Sequence, residues 1–286
     1  MKTIPDALFG LIGFPVSHSV SPAMQNAAFK HCKLDYLYLT IAAKPEELQN
    51  VIASMGPLNI RGLNVTIPHK IEVIKYIDSL DPAAEKIGAV NTIVNENGRL
   101  KGYNTDFGGF VRLLEHNRIA PAQQRFTLLG AGGSAHAIAL AVCNLGGHLT
   151  VLARQEEKAK DLAGKMCLRL SGKTQGLELN DTNLEEALAD TDVIVNCTPV
   201  GMGNLAGQSL IPPRLLRPDL TVIDAIYNPC KTRLLEDAEK RGARIINGLE
   251  MLVWQGAMSF EIWTNQKAPF RLMMKEAELA LDENKK

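Results

Sequence analysis

Short apolar runs alternate along this chain with longer stretches whose apolar positions recur at helical spacing, which predicts an α/β protein. Near the N-terminus, residues 8–13, 34–41 and 60–67 read as strands, and residues 22–31, 45–55 and 68–77 read as helices. Ser21 followed by Pro22 marks a helix start, with serine as N-cap and proline at the first helical position. Residues 87–94 read as a further strand that carries the polar pair Asn91-Thr92 inside an apolar run. Asn95-Glu-Asn-Gly98 supplies turn chemistry and predicts a hairpin to residues 100–103. Asn104-Thr105-Asp106 then caps a helix running to about His116.

The second half opens on a strand–turn–helix. Phe126-Thr-Leu-Leu-Gly130 is an apolar run, Ala131, Gly132, Gly133 and Ser134 form the turn, and an alanine-rich helix follows. This is the order of a dinucleotide-binding unit. Gly130 permits the tight turn, Gly132 lets backbone approach a pyrophosphate, and Ala135 is small enough for helix to pack on strand. The helix N-terminus offers unpaired N–H groups to phosphate. The next strand, residues 148–153, ends at Ala153 and is followed by Arg154, with Lys158 one helical turn on. An acidic residue at that strand end would favour a ribose hydroxyl, whereas a guanidinium favours a 2′-phosphate, so NADP is expected over NAD. The competing arrangement has Glu156 or Glu157 turned toward the ribose and Arg154 stacked on adenine. Strands at 192–197, 220–224 and 244–248 extend the sheet, and the loops after the first two lie where a parallel sheet places ligands. Two helices close the chain, at 249–264 and 270–282.

Composition narrows the function class. The chain has 286 residues, room for one or two domains, with equal numbers of acidic and basic side chains. A zero formal charge implies no electrostatic pull toward nucleic acid or membrane. No apolar run is long enough to span a bilayer, and no signal peptide is expected. The five cysteines, Cys32, Cys143, Cys167, Cys197 and Cys230, are widely spaced and form no metal-ligand pattern, so they read as reduced packing residues of a cytoplasmic protein, with no metal. Two polar features near the N-terminus invite a chemical reading. Ser19 and Ser21 could present two hydroxyls to an anion, or could be loop and cap residues only. Lys70 sits at a strand-to-helix junction, where an α/β sheet places catalytic groups, although a lone lysine is more often a solvated charge.

Eight segments in order carry a resemblance: His18-Ser-Val-Ser-Pro22, Asn64-Val-Thr-Ile-Pro-His-Lys70, Gly88-Ala-Val-Asn-Thr92, Gly102-Tyr-Asn-Thr-Asp106, Gly130-Ala-Gly-Gly-Ser134, Thr198-Pro-Val-Gly-Met202, Asp224-Ala-Ile-Tyr-Asn-Pro229 and Gly248-Leu-Glu-Met-Leu-Val-Trp-Gln255. With these the chain resembles the shikimate dehydrogenase (shikimate/quinate dehydrogenase) family from near its start to about Thr264. The resemblance implies two domains: an N-terminal α/β substrate domain, residues 1–105 completed by C-terminal helices at 249–286, and a doubly wound Rossmann domain at 106–248. It implies reversible NADPH-dependent reduction of 3-dehydroshikimate to shikimate, a step of aromatic amino-acid biosynthesis. The alternatives are a quinate/shikimate dehydrogenase using NAD or both cofactors, and a non-catalytic nucleotide-binding regulator.

The resemblance also assigns residues. Lys70 matches the catalytic lysine and Asp106 its paired carboxylate. Ser19 and Ser21 match the hydroxyls that hold the substrate carboxylate. Asn91 and Asp106 match groups on the ring hydroxyls, and Asn64, Thr66, Tyr227 and Gln255 match further substrate positions. Gly130, Ala131, Gly132, Gly133 and Ser134 match the pyrophosphate loop, Ala153, Arg154 and Lys158 the adenosine end, and Ala225 and Gly248 the nicotinamide end. The family's usual Asn-Arg-Thr is Ala153-Arg154-Gln155 here, which removes two polar partners of the 2′-phosphate. Ser134 and His136 likewise replace the more usual alanine and arginine. Whether the protein is a monomer or a homodimer is left open by the sequence.

Overall fold

A computed structural model describes residues 4–167 and 173–283. The chain divides into two compact units, one of residues 1–109 and 253–286, the other of residues 110–252. The divisions fall inside two helices rather than in linkers.

The first unit is built on a six-stranded sheet. Its elements are β1 (Ala7–Gly13), α1 (Ser21–His31), β2 (Tyr36–Ala42), α2 (Leu48–Ala53), β3 (Ile60–Val65), β4 (Ser79–Leu80), α3 (Pro82–Ile87), β5 (Thr92–Glu96) and β6 (Arg99–Tyr103). The strand order is β2-β1-β3-β5-β6-β4. β1 runs parallel to both β2 and β3, whereas β5 runs antiparallel to β3 and to β6. This mixture has one consequence for chemistry. The C-terminal ends of β1, β3 and β6 and the N-terminal end of β5 all reach the same edge, because Ile12 pairs with Val65, Asn64 with Thr92, and Thr92 with Tyr103. Four different loops therefore leave the sheet side by side.

The core on one face of this sheet joins Ile12, Leu48, Ile52, Leu63, Val65 and Ile93. The other face is covered by α1 and by the C-terminal helices α9 (Leu249–Thr264, of which the part from Val253 belongs here) and α10 (Phe270–Glu283). Phe29 of α1 stacks on Phe260 at 5.5 Å, and Trp263 lies over β3 with its indole N–H donating to the carbonyl of Ile93 at 3.0 Å. Gly62 makes that contact possible, because a Cβ there would lie 2.3 Å from the indole nitrogen.

The second unit contains β7 (Arg125–Leu129), α5 (Gly133–Asn144), β8 (His148–Ala153), α6 (Glu156–Cys167), β9 (Thr174–Glu178), α7 (Asp181–Ala189), β10 (Val193–Asn196), β11 (Thr221–Asp224), α8 (Arg233–Lys240) and β12 (Arg244–Ile246). Its sheet is parallel throughout, in the order β12-β11-β10-β7-β8-β9. The order reverses at β7, so a crevice opens at the ends of β7 and β10, the switch point of a doubly wound sheet. The helix α4 (Asp106–His116) carries the chain from one unit into the other.

Three expected elements differ. Residues 68–77 do not form a continuous helix; only Glu72–Tyr76 closes a 3-10 turn. The carbonyl of Lys70 instead accepts from Val90 N at 2.7 Å, so the backbone at Lys70 is tied to the start of the β5 segment rather than to its own next turn. The strand expected over 87–94 begins only at Thr92. Asp81 caps α3 by accepting from Ala83 N at 2.9 Å, Pro82 opens it, and Gly88 ends it in the left-handed region at φ 69°, so helix signals on both sides outweigh the apolar run. Residues 45–55 split into a 3-10 turn, Pro45–Glu47, and α2. Cys32 and Cys230 are free thiols, and the side chain of Cys167 lies outside the described residues.

Candidate active site

The loops that leave the common edge of the first sheet bring together Lys70, Asn91 and Asp106. Lys70 Nζ donates to Asp106 Oδ2 at 2.5 Å, and the pair is largely withdrawn from water, with side chains 12% and 5% exposed. Asp106 is the first residue of α4, and it does not cap the helix. Asn104 does that, accepting from Asp106 N at 3.0 Å and Phe107 N at 3.4 Å. The carboxylate of Asp106 is thereby released to face the sheet edge. Its other oxygen accepts from Asn91 Nδ2 at 2.8 Å.

Asn91 is the hinge of the cluster. Its side chain also approaches Thr105 Oγ1 at 2.9 Å and Gln255 Oε1 at 3.2 Å, while its own oxygen accepts from Thr105 N at 2.8 Å. Its backbone is held as firmly, with the carbonyl accepting from Val65 N and the N–H donating to Tyr103 O. Buried amides need this density of partners. Asn64 forms a second layer beneath it. Its amide reaches Ser259 Oγ at 2.9 Å, Thr92 Oγ1 at 3.2 Å and the Asn91 carbonyl at 3.2 Å, and Tyr38 donates its hydroxyl to Asn64 Oδ1 at 2.8 Å.

Ser19 and Thr66 sit in the adjoining loops, and Ser21 opens the helix that follows the first of them. Ser21 is not the N-cap of α1; it is the first helical residue and is buried, while Val20 holds the cap position without a side-chain bond. Ser19 does the local work instead, its Oγ accepting from Ser21 N at 3.2 Å. Thr66 packs against the end of β1 so closely that a Cβ on Gly13 would lie 2.3 Å from its methyl. Sequence reasoning missed Tyr38, Thr105 and Ser259. Ser259 was detectable as a polar residue four positions after Gln255 in an apolar helix, and it back-bonds to the Gln255 carbonyl at 3.0 Å.

The second unit carries the expected cofactor positions. Gly130 has φ 103°, and a Cβ there would meet Thr198 at 3.1 Å and the Cys197 backbone at 3.3 Å, so glycine is needed for both turn and space. Gly132 is the opposite case: a Cβ would meet nothing within 4 Å, which leaves open room in front of the α5 N-terminus. Ala135 is buried, as close packing of α5 on the sheet requires. Arg154 and Lys158 are exposed beyond the end of β8, next to buried Ala153. Glu156 is paired with Lys160 at 3.0 Å and Glu157 is exposed, so neither acidic residue is committed to the ribose position. Ala131, Gly133 and Ser134 complete the turn into α5. Open space at the helix N-terminus and two cations past β8 suit a phosphorylated dinucleotide. Tyr227 and Ala225 follow β11, and Gly248 closes on the same loop, where a Cβ would lie 2.2 Å from the Ala225 carbonyl.

One titratable group in this unit stands apart. Asp224 is fully buried at the end of β11, and burial pushes its carboxyl up to about 6 against the hydrogen bonds that favour its ionised form. No group of side chains among the described residues is arranged to hold a metal, and no described helix is long and apolar enough to cross a membrane.

Known proteins are similar to this chain over most of its length. Residues 11–93 match the model of the shikimate dehydrogenase substrate binding domain, and residues 248–278 match that of the shikimate 5'-dehydrogenase C-terminal domain. The chain is 99% identical to a shikimate dehydrogenase (NADP(+)) of Dehalococcoides mccartyi over all 286 residues, covering 100% of both chains. It is 40% identical to a shikimate dehydrogenase crystallised in complex with NADP+, with a TM-score of 0.88 and 96% of each chain covered. A shikimate 5-dehydrogenase from Listeria monocytogenes, in complex with shikimate and NAD, superposes with a TM-score of 0.85 at 38% identity, covering 96% of this chain and 98% of its own.

Proposed function

This chain belongs to the shikimate dehydrogenase family, and we propose that it catalyses the reversible NADPH-dependent reduction of 3-dehydroshikimate to shikimate. The observation that carries the reading is the withdrawn Lys70–Asp106 pair, held by Asn91 where four loops leave one sheet edge. Residues 1–105 with the C-terminal helices from 249 are read as the substrate domain, and residues 106–248 as the NADP-binding domain. Five widely spaced cysteines with no Cys-x-x-Cys pair fit a reducing compartment, and the reading places the enzyme in the cytoplasm.

Bound NADPH supplies the hydride. The chain supplies everything else. Hydride arrival at the ring carbonyl carbon leaves negative charge on its oxygen, and a fixed ammonium is the group that stabilises such charge. Lys70 Nζ donates a hydrogen bond to that oxygen, then the proton that completes the hydroxyl, and regains a proton from solvent. Asp106 keeps Nζ in position through Oδ2 while its Oδ1 is held by Asn91. The same carboxylate and the Asn91 amide accept and donate to the neighbouring ring hydroxyls, which fixes the face of the ring that is offered. Ser19 and Ser21 hold the substrate carboxylate, Asn64, Thr66 and Gln255 line the same side of the substrate, and Tyr227 is assigned a further substrate contact by the family resemblance. Gly130 through Ser134 receive the pyrophosphate, Arg154 and Lys158 the 2′-phosphate, and Ala225 and Gly248 the nicotinamide.

Initial rates crossing shikimate and quinate with NADP+ and NAD+ test this. Activity confined to shikimate with NADP+ is expected. Equal rates with quinate or NAD+ would move the assignment to a broad quinate/shikimate enzyme, and reduction of neither cofactor would overturn both.

A further inference from the structure

The loops after β10 and β11 owe their shape to one buried carboxylate that the mechanism leaves unused. Asp224 Oδ1 accepts from Ile226 N at 3.0 Å and from Asn196 Nδ2 at 3.0 Å, and its Oδ2 accepts from Thr232 Oγ1 at 2.7 Å. Each partner reaches a different segment. Asn196 ends β10, and its Oδ1 accepts from both the N–H and the hydroxyl of Thr198, at 3.0 and 2.7 Å, while its amide also reaches the Val200 carbonyl at 3.2 Å. Thr232 caps α8 by accepting from Leu235 N. Ile226 is gripped from both sides, since its carbonyl accepts from Gly248 N at 3.0 Å while its N–H is held by Asp224. Asp224 therefore joins the segment at Thr198–Gly201, the segment at Ala225–Tyr227 and the start of α8 at a single point.

We propose that Asp224 is a positioning residue for hydride transfer: through Asn196 and Thr232 it holds the two loops at the nicotinamide end of the cofactor site, and with them the backbone at Ala225 and the ring of Tyr227. The inference rests on the assignment of Ala225, Gly248 and Tyr227 made under the proposed function. A carboxylate is kept here although burial disfavours its charge, because its two oxygens take three donors from three segments, one more than the lone pairs of a single amide oxygen accept. Gly201 shows how little freedom the arrangement leaves. It adopts φ 114°, and a Cβ there would meet Ile226 and Thr232 at 3.3 Å.

The test separates the nicotinamide end from the adenosine end. Asp224→Asn and Thr232→Val are compared with the unaltered enzyme for binding of NADP+ and of 2′,5′-ADP, which lacks the nicotinamide, and for kcat with shikimate. The expected result is unchanged 2′,5′-ADP affinity, NADP+ affinity several-fold weaker and kcat lower by about tenfold or more, since small displacements at a reacting centre are costly. Thr232→Ser, which keeps the hydroxyl, restores both. Equal loss for 2′,5′-ADP and NADP+ would mean a merely structural role, and unchanged NADP+ binding and kcat in folded Thr232→Val would mean none; either overturns the inference. Should Asp224→Asn not fold, the Thr232 pair still decides. If the unaltered enzyme binds NADP+ but turns over no shikimate, the functional reading fails while the binding comparison stands.

Discussion

The desolvated carboxylate of Asp224 makes a prediction about stability whose sign is unusual for an acid. Its folded-state value lies near 6 against an ordinary 3.8, so the folded protein holds this proton more tightly than the unfolded chain does. Stability from this group is therefore present at low pH and is lost as pH rises through the interval between those two values. Asp224→Asn gives a reference that cannot titrate and keeps the shape of the protonated acid. Integrating the linkage relation between about pH 4.5 and about pH 7.5, wild-type protein should lose about 2 kcal/mol relative to the variant. Urea unfolding of both proteins, followed by far-ultraviolet circular dichroism at the two pH values, measures that difference of differences and cancels every other titrating group the two share. A difference that stays constant, or that grows in favour of wild type as pH rises, would refute the claim that burial dominates over the three hydrogen bonds.

Three other outcomes follow from the site and its support. Lys70→Ala should lower kcat by about 10²–10⁴-fold, the range for a positioned acid, while isothermal titration with NADP+ remains unaltered. Arg154→Ala should raise the KM for NADP+ by about 10–100-fold, from the loss of a charge-assisted bond to phosphate, and leave the KM for NAD+ nearly unchanged. Gly62→Ala should lower stability by about 2–4 kcal/mol, combining overpacking against Trp263 with loss of its bond to the Ile93 carbonyl, read as a fall in Tm and a change in tryptophan emission.

Much of the architecture could be read from local pattern because local pattern caused it. The glycine turn at 130–134 dictates strand, turn and helix within a few residues, and the Rossmann-type unit follows. The turn at Asn95–Gly98 likewise produces the hairpin of β5 and β6, with Asn95 Oδ1 accepting from Gly98 N. Legibility fails where tertiary partners outbid local preference. Lys70 looked like part of a helix, but its carbonyl is claimed by Val90. Ser21 looked like a cap, but its burial and the hydroxyl of Ser19 decide otherwise. β9 and α7 escaped notice, since Thr-Gln-Gly-Leu-Glu has little apolar character and pairs only at the sheet edge. In the candidate site, residue identities came from motif resemblance. What only coordinates supply is the reason they converge: an antiparallel strand inserted beside parallel ones, so that Asn91 and Asp106 arrive at the edge where Lys70 departs.

The first unit is made of two pieces of chain separated by the whole of the second, and this bears on how the protein is made. During synthesis the ribosome delivers β1 to β6 long before α9 and α10 exist, so Phe29 and the face of β3 at Gly62 wait without Phe260 and Trp263. The nucleotide-binding stretch, by contrast, is continuous and can close as soon as β12 emerges. Completion of the catalytic half is thus deferred until the last helices are translated, and a nascent chain stalled before residue 253 would display that uncovered sheet face to chaperones and proteases while its other half is already folded.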